Sequence, residues 1–136
     1  MVTGVLADVN IEGHVTRLLQ LLQQAWRQEF WEYMALQTPT FAEVGLEDRA
    51  PDDLVWRCCQ ERQLVLVTAN RNADGETSLE LTVRQFNTLQ SLPVITLADP
   101  RRFLRDQEYA DRAADSLLEY LLEIERYRGA GRLYVP

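Results

Sequence analysis

Three short apolar runs, each followed within two residues by an aspartate or asparagine, constrain the fold of this chain more than any other feature. They are residues 2–7 (VTGVLA), 64–68 (LVLVT) and 93–97 (PVITL). Each has the length of a buried strand, whereas between the runs apolar residues such as Val15 and Leu18 recur at helical spacing. Strands that alternate with helices predict right-handed βαβ units and a parallel sheet covered on both faces. The expected fold is therefore α/β, a three-layer sandwich with a central parallel sheet.

The remaining elements are predicted from apolar spacing and from cap and turn signals. Helices are expected over residues 12–26, 28–36 (as an extension of the first helix or as a second helix at an angle), 51–62 and 107–127, with a short helical turn after residue 100. A further helix is expected from a capping box at Thr77-Ser78-Leu79-Glu80 to about residue 90. Further strands are expected at residues 41–44 and 133–135. Arg27 is expected on the solvent side of the first helical stretch. The length predicts one domain, residues 1–136.

The composition is that of an ordinary soluble globular protein. Hydrophobic residues make up 46% and charged residues 26% of the chain. No run approaches the roughly 18 apolar residues of a membrane span, and a basic signal-peptide start is lacking. We therefore expect a cytoplasmic protein with no membrane partner. Cys58 and Cys59 are adjacent and cannot join distant segments, so they are expected to be buried free thiols.

The charge balance restricts the kinds of partner. The net charge is −7, which disfavours broad, non-specific binding to nucleic-acid phosphates. It does not exclude a nuclease, because an acidic metal site adds negative charge of its own. All 14 basic residues are arginine, and each can bind phosphate or carboxylate in a bidentate way.

Carboxylate and amide side chains follow the predicted strands or open a predicted helix. The segments are Asp8-Val9-Asn10, Pro51-Asp52-Asp53, Thr68-Ala69-Asn70-Arg71-Asn72 and Asp99-Pro100. The carboxyl ends of parallel strands meet at one edge of a sheet, where α/β proteins place their ligands. Each residue also has a structural interpretation: Asp8 and Asn10 are good helix caps, Asp52 suits a first helical turn, and Asn70 suits a turn.

Two further groups have both a functional and a structural interpretation. Arg71, Arg101 and Arg102, with Arg105, are candidate phosphate contacts at the same sheet edge, or else a solvated basic turn. The aromatic stretch of Trp26, Phe30, Trp31 and Tyr33 either stacks bases or packs onto the core or a second copy of the chain. The only histidine, His14, is expected to be a solvated helix residue rather than a catalytic base.

In order and spacing, these segments resemble a known family. Residues 5–22 (VLADVNIEGHVTRLLQLL) are similar to the Leu-Leu-Asp-Glu-Asn-Leu start of small PIN-like proteins grouped with VapC-type toxins and the Mut7-C domain. Residues 41–72 (FAEVGLEDRAPDDLVWRCCQERQLVLVTANRN) resemble that family's second block, and residues 91–104 (SLPVITLADPRRFL) resemble its last core strand. The likeness covers residues 2–72 and 91–105, with a longer insertion around residues 24–37.

The resemblance implies a PIN-like fold and, in active members, a ribonuclease that depends on Mg²⁺ or Mn²⁺. Asp8 matches the first metal-binding aspartate and Asp52 the second acidic position, so both are implied as metal-binding and catalytic residues. Asn10 matches the asparagine of the Asp-x-Asn start and is implied, with Asn70, as a further cofactor-binding residue. Asn70, however, stands where the third aspartate belongs, and Asn72 where a fourth acid often follows. A neutral amide is a poorer ligand for a hard cation than a carboxylate.

Three hypotheses about function follow. The first is a divergent PIN-like domain with weak or lost nuclease activity, which acts through a protein partner, a homodimer contact or a nucleic acid. The alternative is a toxin-type endoribonuclease that uses Mg²⁺ or Mn²⁺ to cleave RNA. The third is a regulatory domain that binds an anionic ligand through its arginines.

Overall fold

A computed structural model describes all 136 residues as a four-stranded sheet with six α-helices. The strands are β1 (Gly4–Ala7), β2 (Leu64–Thr68), β3 (Val94–Leu97) and β4 (Arg132–Val135). The helices are α1 (Glu12–Leu22), α2 (Arg27–Met34), α3 (Asp52–Arg62), α4 (Leu79–Phe86), α5 (Pro100–Arg105) and α6 (Gln107–Leu122). Short 3₁₀ helices lie at Val9–Ile11, Ala42–Val44 and Ile124–Tyr127.

All four strands are parallel, and their order in the sheet is β1-β2-β3-β4. Gln37 adds a single parallel bridge to Gly4 on the free side of β1. After β1 the chain therefore passes to Gln37 on one side of that strand, and it then returns to form β2 on the other side of β1. In open α/β sheets, ligands bind at such a switch point, beyond the carboxyl ends of the strands. Here the switch point lies between β1 and β2.

Helices cover both faces of the sheet because the apolar residues of each strand alternate between two cores. On one face, Val5, Val65 and Ile95 pack with α1, α5 and α6. On the other face, Leu6 and Leu66 pack with α3 and α4. The predicted α/β fold with a central parallel sheet between helical layers is confirmed, including the C-terminal edge strand β4.

The expectation that every βαβ unit is right-handed is wrong for one connection. The chain steps one strand in the same direction from β2 to β3 and from β3 to β4, but α4 lies on one face and α6 on the other. Two parallel connections that move in the same direction along a sheet, one over each face, have opposite handedness. One of these two connections is therefore left-handed, contrary to the general rule for βαβ units. α6 packs beside α1, and the two helices together cover the same face of the sheet.

The strand predicted at residues 41–44 is wrong, since this segment forms a 3₁₀ helix at Ala42–Val44. Thr40 and Glu43 bond reciprocally: Thr40 N–H donates to Glu43 Oε1 at 3.0 Å, and Glu43 N–H donates to Thr40 Oγ1 at 3.2 Å. This is a capping box, whose Thr-x-x-Glu spacing is present in the sequence. The turn buries Phe41 and Val44 against the second core.

Arg27 is buried rather than solvated, with 8% of its surface exposed. A backbone reversal at Ala25 (φ 52°) separates α1 from α2 and directs Arg27 toward α6. There its Nε donates to Asp115 Oδ1 at 2.8 Å, and its Nη2 lies 3.6 Å from Asp111 Oδ1. These contacts stabilise the packing of α2 on α6. The residues 28–36 therefore form a second helix, not an extension of the first.

Four helices end earlier than predicted: α1 at Leu22 instead of residue 26, α2 at Met34 instead of residue 36, and α4 and α6 as follows. The helix expected to run to residue 90 ends at Phe86. Its N-cap is Ser78, whose Oγ accepts from Leu81 N–H at 3.4 Å, and not Thr77 of the predicted capping box. The helix expected over residues 107–127 ends at Leu122 and continues as a 3₁₀ turn. None of the helices has the length and apolar character needed to cross a membrane.

Candidate functional site

Asp8 lies directly after β1, and both of its carboxylate oxygens accept hydrogen bonds from the protein. Thr68 Oγ1 donates to Asp8 Oδ2 at 2.6 Å, and Asn10 N–H donates to Asp8 Oδ1 at 3.3 Å. Asp8 thereby caps the 3₁₀ turn at Val9–Ile11. The side chain of Asn10 is exposed and makes no hydrogen bond, so it does not contribute to the network around Asp8.

Asn70 connects the end of β2 to Asp52. Its N–H donates to Thr68 Oγ1 at 2.9 Å, and its Nδ2 donates to Asp52 Oδ2 at 2.9 Å. Asn72 N–H donates to Asn70 Oδ1 at 2.8 Å, which fixes the orientation of the amide. The nitrogen of the Asn70 amide, and not its oxygen, therefore faces the Asp52 carboxylate.

Asp52 is the first residue of α3 and is half-buried. Its Oδ2 accepts a second hydrogen bond, from Leu79 N–H at the start of α4, at 3.1 Å. Asp8, Thr68, Asn70 and Asp52 thus form one continuous hydrogen-bonded chain at the switch point of the sheet. The expected convergence of residues 8, 52 and 70 is what the structure shows.

A small cleft of about 40 Å³ opens beside this chain. Asp8, Asp48 and Asp52 line it together with Asn10 and apolar side chains. Asp48 belongs to the loop before α3, and sequence reasoning missed it because nothing in that loop fixes its direction. Although three carboxylates line the cleft, no three acidic, histidine or cysteine side chains lie close enough to hold one ion.

The donor set fits a tight Mg²⁺ or Mn²⁺ site poorly. Three of the four carboxylate oxygens of Asp8 and Asp52 already accept hydrogen bonds from the protein. A metal ion needs these lone pairs, and the Asn70 amide presents a donor to Asp52 where a cation would need an acceptor. Only Asp52 Oδ1 and the exposed Asp48 are without such a partner.

Arg132, on β4, binds the loop that carries Asn70, and it was not identified from the sequence as part of the site. Its Nη1 donates to Asn70 O at 2.9 Å and to Thr96 Oγ1 at 2.7 Å. Its Nη2 lies 2.9 Å from Glu80 Oε2 on α4, and its side chain is 7% exposed. The residue therefore joins the loop after β2 to both β4 and α4. A single arginine near the end of a chain gives no local signal of such a contact.

The predicted arginine cluster does not lie next to Asp8. Arg71 donates to Ala98 O and lies over the ring of Tyr134, 5.5 Å from its centroid. Arg102 pairs with Asp106, with Nε and Oδ2 3.0 Å apart, whereas Arg101 is exposed without an ion pair. These residues lie near the ends of β3 and β4. Because β2 separates β1 from β3, the two strand ends are about 10 Å apart.

Asp99 has a structural role in the fold. Its Oδ1 accepts from Arg102 N–H at 3.1 Å and so caps α5. His14 is half-buried rather than solvated: its Nε2 lies 3.1 Å from Pro100 O, and its ring lies 5.8 Å from that of Phe103. His14 therefore joins α1 to α5 and is not part of the acidic cleft.

The aromatic side chains of the insertion divide into two groups. Trp31 packs against the first core. Trp26, Phe30 and Tyr33 are 58%, 43% and 85% exposed, and the rings of Trp26 and Phe30 meet edge to face at 6.1 Å. Their spacing of four and three residues places them on one side of the helix. We call these three residues the aromatic stripe.

Cys59 is buried and Cys58 is half-buried, so the predicted pair of buried thiols is confirmed for Cys59 alone. Burial, and secondarily the neighbouring Cys58, raises the pKa of the Cys59 thiol far above its usual value. The thiolate is the reactive form of cysteine, so Cys59 is an inert core residue.

No family model, curated protein or solved structure matches this chain. The resemblance to PIN-like proteins therefore stays a prediction from the segments of sequence described above.

Proposed function

We propose that this chain is a divergent PIN-like domain whose metal site has become a hydrogen-bonded structural network, and that it acts by binding rather than by cleavage. One observation carries the proposal. Asn70 Nδ2 donates to Asp52 Oδ2 at 2.9 Å, and Asn72 N–H holds the amide in that orientation. A neutral donor thus satisfies a carboxylate that a metal ion satisfies in active members of the resembled family.

The aromatic stripe supports binding to a protein. Large apolar side chains grouped on one exposed helix face mark an interaction surface. Arg27 and its acidic partners on α6 hold α2 in place, so the stripe is presented on a fixed helix. In contrast, Arg71 and Arg102 are engaged within the protein, which weakens the case for an RNA backbone contact. We propose a cytoplasmic protein partner or a second copy of the chain.

The test is a titration with MnCl₂ after treatment with EDTA, followed by thermal unfolding and by cleavage of a labelled RNA. We expect no change in Tm at millimolar Mn²⁺ and no cleavage above that of Asp8→Asn. A rise in Tm that Asp8→Asn and Asp52→Asn both abolish would contradict the proposal. Light scattering after size-exclusion chromatography of wild type and Tyr33→Ala then measures self-association through the stripe.

The second candidate is a weak Mg²⁺- or Mn²⁺-dependent endoribonuclease of toxin type. The observation in its favour is that Asp8, Asp48 and Asp52 line the same cleft. Asp48→Asn distinguishes the two candidates, because only the nuclease needs this exposed carboxylate. Loss of Mn²⁺-dependent cleavage in Asp48→Asn, with unchanged Tm, would favour the enzyme.

A further inference from the structure

On the side of β1 that faces away from β2, backbone pairing stops after one residue. Gln37 N–H donates to Thr3 O at 3.0 Å, and Val5 N–H donates to Gln37 O at 2.9 Å. In a parallel ladder the next bonds run from the N–H of residue 39 to Val5 O, and from Ala7 N–H to the carbonyl of residue 39. Residue 39 is Pro39, which has no N–H. Val5 C=O and Ala7 N–H therefore have no partner within the protein.

A cleft of about 280 Å³ opens at these two backbone groups. It lies between the edge of β1, the exposed side of α1 and residues 38–41. Its lining combines apolar side chains, among them Val15, Leu19 and Phe41, with threonine and glutamine side chains. Val5 is 1% exposed, and backbone polar groups at buried positions are nearly always paired. The cleft thus presents one acceptor and one donor that the fold itself does not satisfy.

The spacing of the two groups defines the chemistry of the ligand. In a parallel ladder a single partner residue donates its N–H to Val5 O and accepts at its C=O from Ala7 N–H, and so lies opposite Leu6. We propose that this cleft binds an extended peptide segment, which adds a strand beside β1 and continues the pairing that Gln37 begins. Main-chain bonds to an exposed sheet edge are an established mode of peptide recognition.

The lining also indicates which side chains the peptide carries. Glu12, at the start of α1, is the only charged residue that lines the cleft. A basic side chain near the carboxyl end of β1 complements it, while an apolar side chain suits the floor formed by Val15 and Leu19. The segment bound is therefore a short extended peptide with an apolar residue and a neighbouring lysine or arginine. This cleft shares only Phe41 with the acidic cleft, and the inference does not depend on the proposed loss of nuclease activity.

The probe is a peptide selected on the wild-type protein from a random 12-residue display library, synthesised with a fluorescent label and measured by anisotropy. We expect Thr16→Trp, which fills the cleft from α1, to weaken binding at least tenfold. Glu61→Trp is the matched control, because Glu61 is an exposed helical residue outside the cleft. N-methylation of the peptide at each position in turn should give a tenfold loss at the one residue that faces Leu6.

Amide hydrogen exchange supplies an independent measurement. The Ala7 amide should exchange faster than that of Asp8, which donates to Val67 O at 2.9 Å, and should become protected when the peptide binds. The proposal is overturned if no selected peptide binds more tightly than about 1 mM, which corresponds to roughly −4 kcal/mol. It is equally overturned if the peptide binds but leaves Thr16→Trp affinity and Ala7 exchange unchanged. Protection of Ala7 by adenosine, guanosine, cytidine or uridine, without protection by any peptide, would instead assign the cleft to a nucleobase.

Discussion

Introduction of a carboxylate at position 70 tests the hydrogen-bonded site directly. In Asn70→Asp, a carboxylate oxygen takes the place of the Nδ2 atom that lies 2.9 Å from Asp52 Oδ2. Loss of a hydrogen bond to a charged group costs about 1.5–3 kcal/mol. Repulsion between two half-buried carboxylates adds to this cost, so we expect a loss of about 2–4 kcal/mol in the free energy of unfolding without divalent ions. At about 3 °C per kcal/mol for a chain of this size, Tm should fall by roughly 6–12 °C.

Thermal and urea unfolding in EDTA and in MnCl₂ provide the assay. If the carboxylates at positions 8, 52 and 70 surround the cleft, Mn²⁺ should restore stability in Asn70→Asp, by about 2.7 kcal/mol at a hundredfold excess over Kd. Asn70→Ala is the control, since it removes the same hydrogen bond without adding charge and should be destabilised but insensitive to Mn²⁺. An Asn70→Asp variant as stable as wild type in EDTA would refute the bond to Asp52. A destabilised variant whose stability does not change with Mn²⁺ would refute the proposal that this site derives from a metal centre.

Three further substitutions test the arginine beside the site, the edge of the sheet and the N-terminus of α6. Arg132→Met should lose about 2–4 kcal/mol in urea unfolding, because it leaves buried acceptors unpaired, whereas Arg126→Met, at an exposed position, should change stability by less than about 0.5 kcal/mol. Gly4→Ala should lose about 1–3 kcal/mol and disrupt the bridge, because its Cβ would lie 2.3 Å from Gln37 O. The N-terminal amides of α6 and a neighbouring arginine lower the pKa of Asp106, so its stabilisation is present above about pH 4 and is lost as the pH falls through the lowered value. Asp106→Ala should therefore have a lower Tm than wild type at pH 7 and a difference that shrinks below pH 4; a difference independent of pH would contradict this account.

β1, β2 and β3 were predictable because each lies within an unbroken run of mainly apolar, buried residues, whereas in β4 only Val135 is buried. The register Val5–Val65 and Val67–Ile95 places these residues in one core, so hydrophobicity and pairing agree. The strand predicted at residues 41–44 was wrong because the same signal has a second cause. The apolar residues of this segment are buried, but on one side of a 3₁₀ turn and not along a strand. A short apolar run does not distinguish a buried strand from a buried helical turn, whereas the Thr40–Glu43 capping box indicates the turn.

Contacts between residues distant in sequence account for what the sequence did not predict. Arg27 is buried because Asp111 and Asp115 on α6 neutralise its charge, and nothing near Arg27 in the sequence indicates those partners. Arg132 reaches Asn70 across 62 positions, and Asp48 joins the acidic cleft only through the path of its loop. The order of the strand ends was enough to bring residues 8, 52 and 70 together, but not to show which of their atoms are already bonded.

Asparagine at position 70 satisfies both of its hydrogen-bond partners, which argues that its amide is a structural part of the fold. Asn72 N–H needs an acceptor there, and Asp52 needs a donor. Aspartate meets the first need and opposes the second, whereas asparagine meets both with one side chain. Thr68 is matched in the same way, because its hydroxyl donates to Asp8 and accepts from Asn70 N–H. A network in which Thr68 and Asn70 each donate to a carboxylate and also accept a hydrogen bond needs no cation to hold those carboxylates together, and this is the physical reason to expect a stable fold here without a metal ion.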